Sequence, residues 1–419
     1  MFKNSSALSP QNLPFSLELL PQPAYLVGGA VRDALLGRRR EYLDLDFVIP
    51  NHAVQTARKI ASYYKAGFVL LDAERKIARV VFPEATVDFA QQEGASLETD
   101  LQRRDFTVNA IAYNPYTNEI IDPLNGYADL QLKMMRMVAP ANLQDDPLRL
   151  LRAYRQAAQL SFVIEPTTKS TIRQLALLIS EVAAERVLTE LRYLLKTPQG
   201  TPLLIAAVED GLLSSWFPSV TAEGLAQLIK VDQAAELLGK TWSNLKIELV
   251  RSLRDTINTS LVGIAKLVNL LPATPPEAEL QMLRLSYSRP EIKAVTTAIT
   301  YLPQLQAVVQ SEMSLAEQYF FFQNVKGVFP AIAVLAVGSG IEVDAIAPLI
   351  NRYLNPDDQV AHPTPLITGK DLMQALKLSP SPQIGQLLTD IQIARIEGKI
   401  TTSAQALEFA DQIVNTPQD

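Results

Sequence analysis

Two observations predict an α+β head followed by an all-α remainder. Up to about Ala139, short apolar runs alternate with stretches of helical period; from Pro147 onward the period is almost wholly helical. A third observation places chemistry in the head. A glycine pair, Gly28-Gly29, precedes a helix-like VRDALLG and a second apolar run carrying Asp44 and Asp46.

Residues 24–27, 45–49, 68–71, 78–82, 85–90 and 107–113 are short apolar runs between turn signals and read as strands. Ala53–Tyr64 carries the helical period. Pro and Gly punctuate the helical part at 197–202, at 272–276, at Pro290 and across 355–365. No fixed-period repeat and no low-complexity tract occurs. The most apolar stretch, 328–350, contains Pro330, two glycines, Glu342 and Asp344, and so reads as buried helix instead of a membrane span.

With 419 residues, 48% of them hydrophobic, the chain can bury more than one core. The absence of cysteine excludes disulfides, thiolate zinc sites and a cysteine nucleophile. Two histidines, His52 and His362, are too few for a histidine metal cluster. Oxygen ligands remain, and they suit Mg²⁺ or Mn²⁺. The first fifteen residues lack the basic-then-apolar pattern of a signal peptide, so a cytoplasmic location is expected.

A net charge of −6 does not by itself suggest nucleic acid. Phosphate contact would rest on local clusters: Arg38-Arg39-Arg40, Arg103-Arg104, Lys133 with Arg136, and Arg149, Arg152 and Arg155. Scattered solvated arginine fits the first cluster equally well.

Side chains two apart on a strand share a face. Asp44 and Asp46 can therefore share divalent ions, as an in-line phosphoryl or nucleotidyl displacement requires. Gly28 and Gly29 let backbone N–H groups approach a triphosphate, with a helix N-terminus behind them that favours anions. Arg32, one turn into that helix, is placed to pair with phosphate oxygens. Each part also has a plain alternative: a tight turn for the glycines, a solvated strand face for the aspartates.

GG-x-V-R-D followed by D-x-D resembles the signature of the class II tRNA nucleotidyltransferases and their relatives, the bacterial poly(A) polymerases. Further segments are similar in the same order. They are Arg103 to Ala110 (RRDFTVNA), Asp122 to Gly126 with Asp129-Leu130, Asp146 to Arg152 (DPLRLLR, with Asp145 where Glu is usual), and Ala184 to Leu191. Together they cover residues 25–195.

The resemblance implies a polymerase-beta-like nucleotidyltransferase head with a mixed sheet and helices over 1–139. It further implies a helical neck that recognises the nucleotide base (140–214), a helical body (215–350) and a helical tail for tRNA (351–419). Asp88 matches the position of a third, family glutamate, although a solvent-facing strand residue is a close alternative. Arg104, Arg152 and, more weakly, Arg155 match nucleotide-contacting positions. Arg103 is expected to give electrostatic support, and Asp33 and Asn109 to be structural partners.

Asp146 and Arg149 stand three apart, as neighbours on a helix face. A carboxylate accepts hydrogen bonds and a guanidinium donates several in a planar fork. Such a pair complements the amino donor and ring acceptors of cytosine and adenine, and mismatches the N3–H of uracil and N1–H of guanine. The alternative is an ordinary helix start, with Asp146 as N-cap and Pro147 in the first position.

Residues 91–102 are all that separate the Asp88 strand from the RRD motif, where many full CCA-adding members of the family that the chain resembles carry a long flexible segment. In the family, its loss accompanies enzymes that add two cytidines and stop. The expectation is therefore template-free transfer of CMP from CTP to the tRNA 3′ end with two Mg²⁺ ions (or Mn²⁺) and release of pyrophosphate. The tRNA would be held by its acceptor stem and elbow, and a separate A-adding enzyme would follow.

ATP use by a full CCA-adding enzyme, A addition alone and poly(A) synthesis are the alternatives within the family. A catalytically silent RNA-binding protein and a small-molecule nucleotidyltransferase are alternatives of other classes.

Overall fold

Seven strands of the head form one mixed sheet in a computed structural model that describes Leu8 and residues 10–38, 42–254, 257–307 and 312–415. Arg39 and Arg40 lie outside the described residues. The chain runs β1 (Tyr25–Val27), α1 (Gly29–Leu35), β2 (Leu43–Ile49), α2 (Ala53–Tyr64), β3 (Gly67–Asp72), β4 (Ile77–Val81), β5 (Ala85–Gln91), α3 (Leu97–Gln102), β6 (Ala112–Asn114) and β7 (Glu119–Ile121). The strand order is β3-β4-β5-β2-β1-β6-β7, with β2 and β5 parallel and every other pair antiparallel.

Strand β2 shows why the sheet can carry a site. Leu45, Phe47 and Ile49 alternate onto one buried face. There Phe47 stacks on Phe89 with ring centroids 5.7 Å apart, and Phe15 closes on both. On the opposite face Val48 packs with Val27, Leu97 and Leu101. The next residues on that same face are Asp46 and Asp44, so it passes from core to carboxylate within one strand.

Residues 107–113 are not one strand, as the apolar run suggested. Thr107–Asn109 is a 3₁₀ turn, and β6 begins only at Ala112. The turn satisfies buried polar side chains: Asn109 donates to Asp105 at 2.9 Å and Thr107 to Asp129 at 2.7 Å. Gly126 lies against it, where a Cβ would fall 2.2 Å from the Thr107 carbonyl oxygen.

The chain continues through α4 (Gly126–Gln131), β8 (Met134–Met135), α5 (Pro140–Asp145), α6 (Leu148–Leu160), β9 (Val163–Ile164), α7 (Pro166–Leu175), α8 (Ala184–Lys196) and α9 (Gly200–Glu209). Strands β8 and β9 form a small parallel pair within this otherwise helical region.

Two compact units divide the chain, one of residues 1–194 with 203–215 and one of 195–202 with 216–419. The second unit comprises α10 (Ala222–Thr241), α11 (Ser243–Val250), a hairpin of β10 (Ser252–Arg254) and β11 (Ile257–Ser260) that the helical period did not announce, α12 (Leu261–Val268), α13 (Pro275–Arg284), α14 (Arg289–Gln306), α15 (Leu315–Val325), α16 (Phe329–Gly338), α17 (Val343–Leu354), α18 (Gly369–Leu376), α19 (Pro382–Ile396) and α20 (Ser403–Asn415).

The stretch Leu315–Gly338 is long and apolar enough to cross a membrane by length and composition. In the structure a 3₁₀ turn at Lys326–Val328 interrupts it, and Phe321, Phe322 and Phe329 are buried against one another. The last three helices have their own apolar cluster, including Leu372, Leu387, Ile391, Ala406 and Ala410.

Candidate active site

Pairing of β1 with β2 sets Val27 opposite Asp46, so the chain leaves β1 beside that carboxylate. Gly28 follows with φ +72°, which glycine adopts without steric cost. A Cβ there would lie 3.4 Å from Arg104 Nη1 and 3.5 Å from Asp46 Oδ2, so glycine also keeps the space between them open. Gly29 begins α1, and the Arg32 guanidinium lies close by, 3.6 Å from where a Gly29 Cβ would be.

Register across the sheet assembles the carboxylates. Asp46 pairs with Asp88, Asp44 with Thr86, and Asp88 with Arg79, which sets Asp46, Asp88 and Arg79 side by side on three strands. Asp44 is exposed and accepts from Thr86 Oγ1 at 2.9 Å. Both oxygens of Asp88 are taken by Arg79, from Nε at 2.7 Å and from Nη2 at 2.8 Å. Burial pushes the Asp46 carboxyl up to about 6; the Asp88 and Asp44 charges add to the rise, while Arg104 and Arg152 oppose it.

Among the described residues no three His, Cys, Asp or Glu side chains are grouped to hold a metal ion. The available donor set is therefore Asp44 with Asp46, and the Arg79 fork occupies the expected third carboxylate, Asp88. Two hard oxygen donors on one face, with Asp46 destabilised as an anion, fit a divalent cation that would relieve that charge.

Arg32, expected to pair with phosphate oxygens, stands beside the glycine pair and is held by partners within the fold. Its side chain is buried and pairs with Asp33 at 2.8 Å. It also donates to Asn109 at 2.7 Å and to Gln156 at 3.4 Å. Asn109 in turn donates to Gln156 and to Asp105, both at 2.9 Å. This network ties α1, the RRDFTVN turn and α6 together beneath the glycine pair.

Asp105 is buried and held below the usual carboxylate range. Burial alone would raise it, but Arg152, Asn109 and the Phe106 N–H outweigh that. It fixes Arg152 through Nε at 3.2 Å while that arginine stays nearly half exposed. Arg104 is more enclosed, bonded through Nη2 to Asp100 at 3.2 Å.

Asp146 and Arg149, expected to read the base side by side, do not bond each other. Arg149 donates Nη1 to two backbone carbonyls, those of Arg103 at 3.0 Å and Asn142 at 2.9 Å. Asp146 instead accepts from Nη2 of Arg186, 3.1 Å to each oxygen. Nor is it a side-chain cap: α6 begins at Leu148 with Pro147 as the residue before it. Asp146 contributes only its carbonyl there, which accepts the Arg149 N–H at 3.0 Å. Three residues of spacing allow an Asp–Arg contact, but a second arginine from α8 takes the carboxylate.

Arg155 is enclosed, paired with Glu190, bonded to Gln159 at 2.6 Å and lying over the Tyr193 ring. Of the remaining basic residues, Arg38 donates to the carbonyls of Gln159 and Leu160. Arg136 pairs with Asp129 and Glu165.

Sequence reasoning left out Arg79, Gln156 and Arg186. Arg79 carried a signal, a lone cation in an apolar run next to one holding an acid. Gln156 carried another, four residues after Arg152 on the same helix face. Arg186 stands within the Ala184 to Leu191 segment but gives no local sign of its partner forty residues earlier.

Comparisons with known proteins bear on the family and the fold. The family model for the poly A polymerase head domain matches residues 24–136. Models described as the probable RNA and SrmB-binding site of polymerase A and as tRNA nucleotidyltransferase domain 2 match 161–223 and 255–410. A CC-adding tRNA nucleotidyltransferase of Synechocystis sp. is 49% identical over 405 residues, covering 96% of each chain. One from Geobacter sulfurreducens is 30% identical over 410 residues, covering 94% of this chain and 93% of its own. A solved CCA-adding enzyme in complex with CTP shares the fold, with TM-score 0.72 at 24% identity over 94% of this chain and 92% of its own. Head, motif order and full-length similarity lead to one conclusion: the chain belongs to the tRNA nucleotidyltransferase family.

Proposed function

We propose that the protein adds two cytidylates to the 3′ end of tRNA without a nucleic-acid template and then stops. The observation that carries the reaction is the placing of Asp44 and Asp46 on one face of β2, with Gly28 open beside Asp46. Asp44 and Asp46 would hold two Mg²⁺ ions, which on binding would lower the pKa of the RNA 3′-hydroxyl and neutralise triphosphate charge.

The tRNA 3′-hydroxyl gives its proton to water as its oxygen attacks the α-phosphorus of CTP. The bond from that phosphorus to the bridging oxygen breaks, and pyrophosphate leaves. Gly28 and Gly29 let the triphosphate approach the backbone, and Arg104 and Arg152 receive its charge. Arg32, from its buried network, holds the glycine turn in place instead of touching phosphate. Asp88, ion-paired with Arg79, supports the carboxylate row from the adjacent strand. Arg155 braces α6 against α8.

Asp146 and Arg149 read the base, accepting from the cytosine amino group and donating to its ring acceptors. The short link after β5 supports arrest after two cytidines. Gln92 N–H bonds the Ile49 carbonyl at 2.8 Å and Glu93 N–H bonds Asp100 at 3.0 Å. Ser96 then caps α3. A link tied this tightly has no slack with which to remodel the base pocket from cytosine to adenine. A separate A-adding enzyme then completes the end.

In this reading residues 1–139 are the catalytic head, 140–214 the base-recognising neck, 215–350 the body and 351–419 a tail for the tRNA elbow. The protein works in the cytoplasm. The test is incorporation of radiolabelled CMP into a tRNA transcript lacking CCA, in Mg²⁺, by the native protein and by Asp44→Ala and Asp46→Ala. Incorporation that both variants lose, with circular dichroism unchanged, supports the reading; retained incorporation in both removes the carboxylate assignment.

A further inference from the structure

Asp146 lies in the extended link between α5 and α6, with φ −138° and ψ 91°. An aspartate on such a link is free to turn its carboxylate about two side-chain torsions. Among the described residues its carboxylate is met by Arg186, whose Nη2 lies 3.1 Å from both oxygens. One donor equidistant from two oxygens sets the direction in which the group points, yet uses only part of its capacity of roughly four acceptor sites.

Arg186 is not placed for its own helix. It stands in the first turn of α8, where the helix dipole disfavours a cation, and its side chain is 52% exposed, so burial does not explain it either. Its evident task is Asp146.

We infer that Arg186 is a positioning residue for base selection: it sets the Asp146 carboxylate so that the free lone pairs face the amino group of the incoming cytosine. The selecting unit then draws on two helices and the link before one of them, with Asp146 and Arg149 meeting the base and Arg186 acting through Asp146. This rests on the reading above that Asp146 meets the base. Because the pair is half exposed, its removal changes selection by roughly fivefold or less and does not unfold the protein.

The experiment measures kcat and KM for CTP and for UTP addition to a tRNA transcript ending at the discriminator base. The proteins are the native chain, Arg186→Ala, Arg186→Lys, Asp146→Asn and the double variant Asp146→Asn/Arg186→Ala. Arg186→Ala is expected to raise KM for CTP and lower the CTP-over-UTP preference about fivefold, with tRNA affinity and melting temperature unchanged. Arg186→Lys, which keeps the charge without the planar fork, recovers part of the preference. In the Asp146→Asn background the arginine substitution adds nothing further.

An unchanged preference in Arg186→Ala while Asp146→Asn is impaired overturns this inference alone, as do independent, additive effects of the two substitutions. An unchanged preference in Asp146→Asn overturns the reading of Asp146 itself, and the inference with it.

Discussion

Replacing Asp46 by asparagine removes the charge that the site tolerates least, and the sign of the effect on stability is fixed by the structure. Burial and the nearby Asp88 and Asp44 lift this carboxyl from 3.8 to about 6. At about 1.4 kcal/mol per tenfold of proton affinity, the ionised side chain costs the folded head about 3 kcal/mol. Because the folded-state value is the higher one, the fold has this stability below about pH 4 and loses it as pH rises through 6.

Asp46→Asn, neutral throughout, should therefore be more stable than the native protein at pH 8 without divalent metal, and no more stable at pH 4. Both tryptophans, Trp216 and Trp242, lie in the second unit, so their fluorescence follows the wrong part of the chain. Amide exchange of the β2 and β5 segments, read by mass spectrometry and corrected for intrinsic rates, follows the right one. The expected difference at pH 8 is about a hundredfold slower exchange in the variant. Added Mg²⁺ should protect the native strands and not the variant's. Equal exchange at pH 8, or a difference that persists undiminished at pH 4, would refute the electrostatic account of this site.

Arg149→Ala should relax the choice of CTP over UTP while tRNA affinity, measured by filter binding, stays within about twofold; an unchanged nucleotide preference would remove Arg149 from base recognition. Arg32→Met takes the buried guanidinium away from Asp33, Asn109 and Gln156 and should cost about 1–3 kcal/mol in urea unfolding of the head. A fully stable Arg32→Met protein with a raised KM for CTP would instead return Arg32 to the phosphates.

Much of the site could be read from the chain because it depends on short-range geometry. Asp44 and Asp46 had to share a face once residues 43–49 formed a strand, and the glycine pair had to stand at the head of α1 once a helix followed it. The limits of α2 were set by the apolar period of Ala53–Tyr64 alone. Arginine is where local reasoning fails. Its long side chain reaches partners that spacing does not name, so Arg32 turns inward to Asn109 and Gln156, and Arg149 gives Nη1 to two backbone carbonyls. Asp146 finds Arg186 across forty residues of chain. The turn at Thr107–Asn109 escaped for a related reason: an apolar run looks like a strand until the buried partners of its polar residues, Asp105 and Asp129, are known.

The measurement closest to the central claim gives the purified protein and Mg²⁺ three tRNA transcripts, ending at the discriminator base, after C and after CC. Each is incubated with CTP, ATP or both, and product length is resolved on a sequencing gel. Growth of the first two to CC and no further, even with ATP present, is the expected result and gives the tied link after β5 its function. Extension to CCA, or growth of the CC-ended transcript by one adenosine, would contradict it.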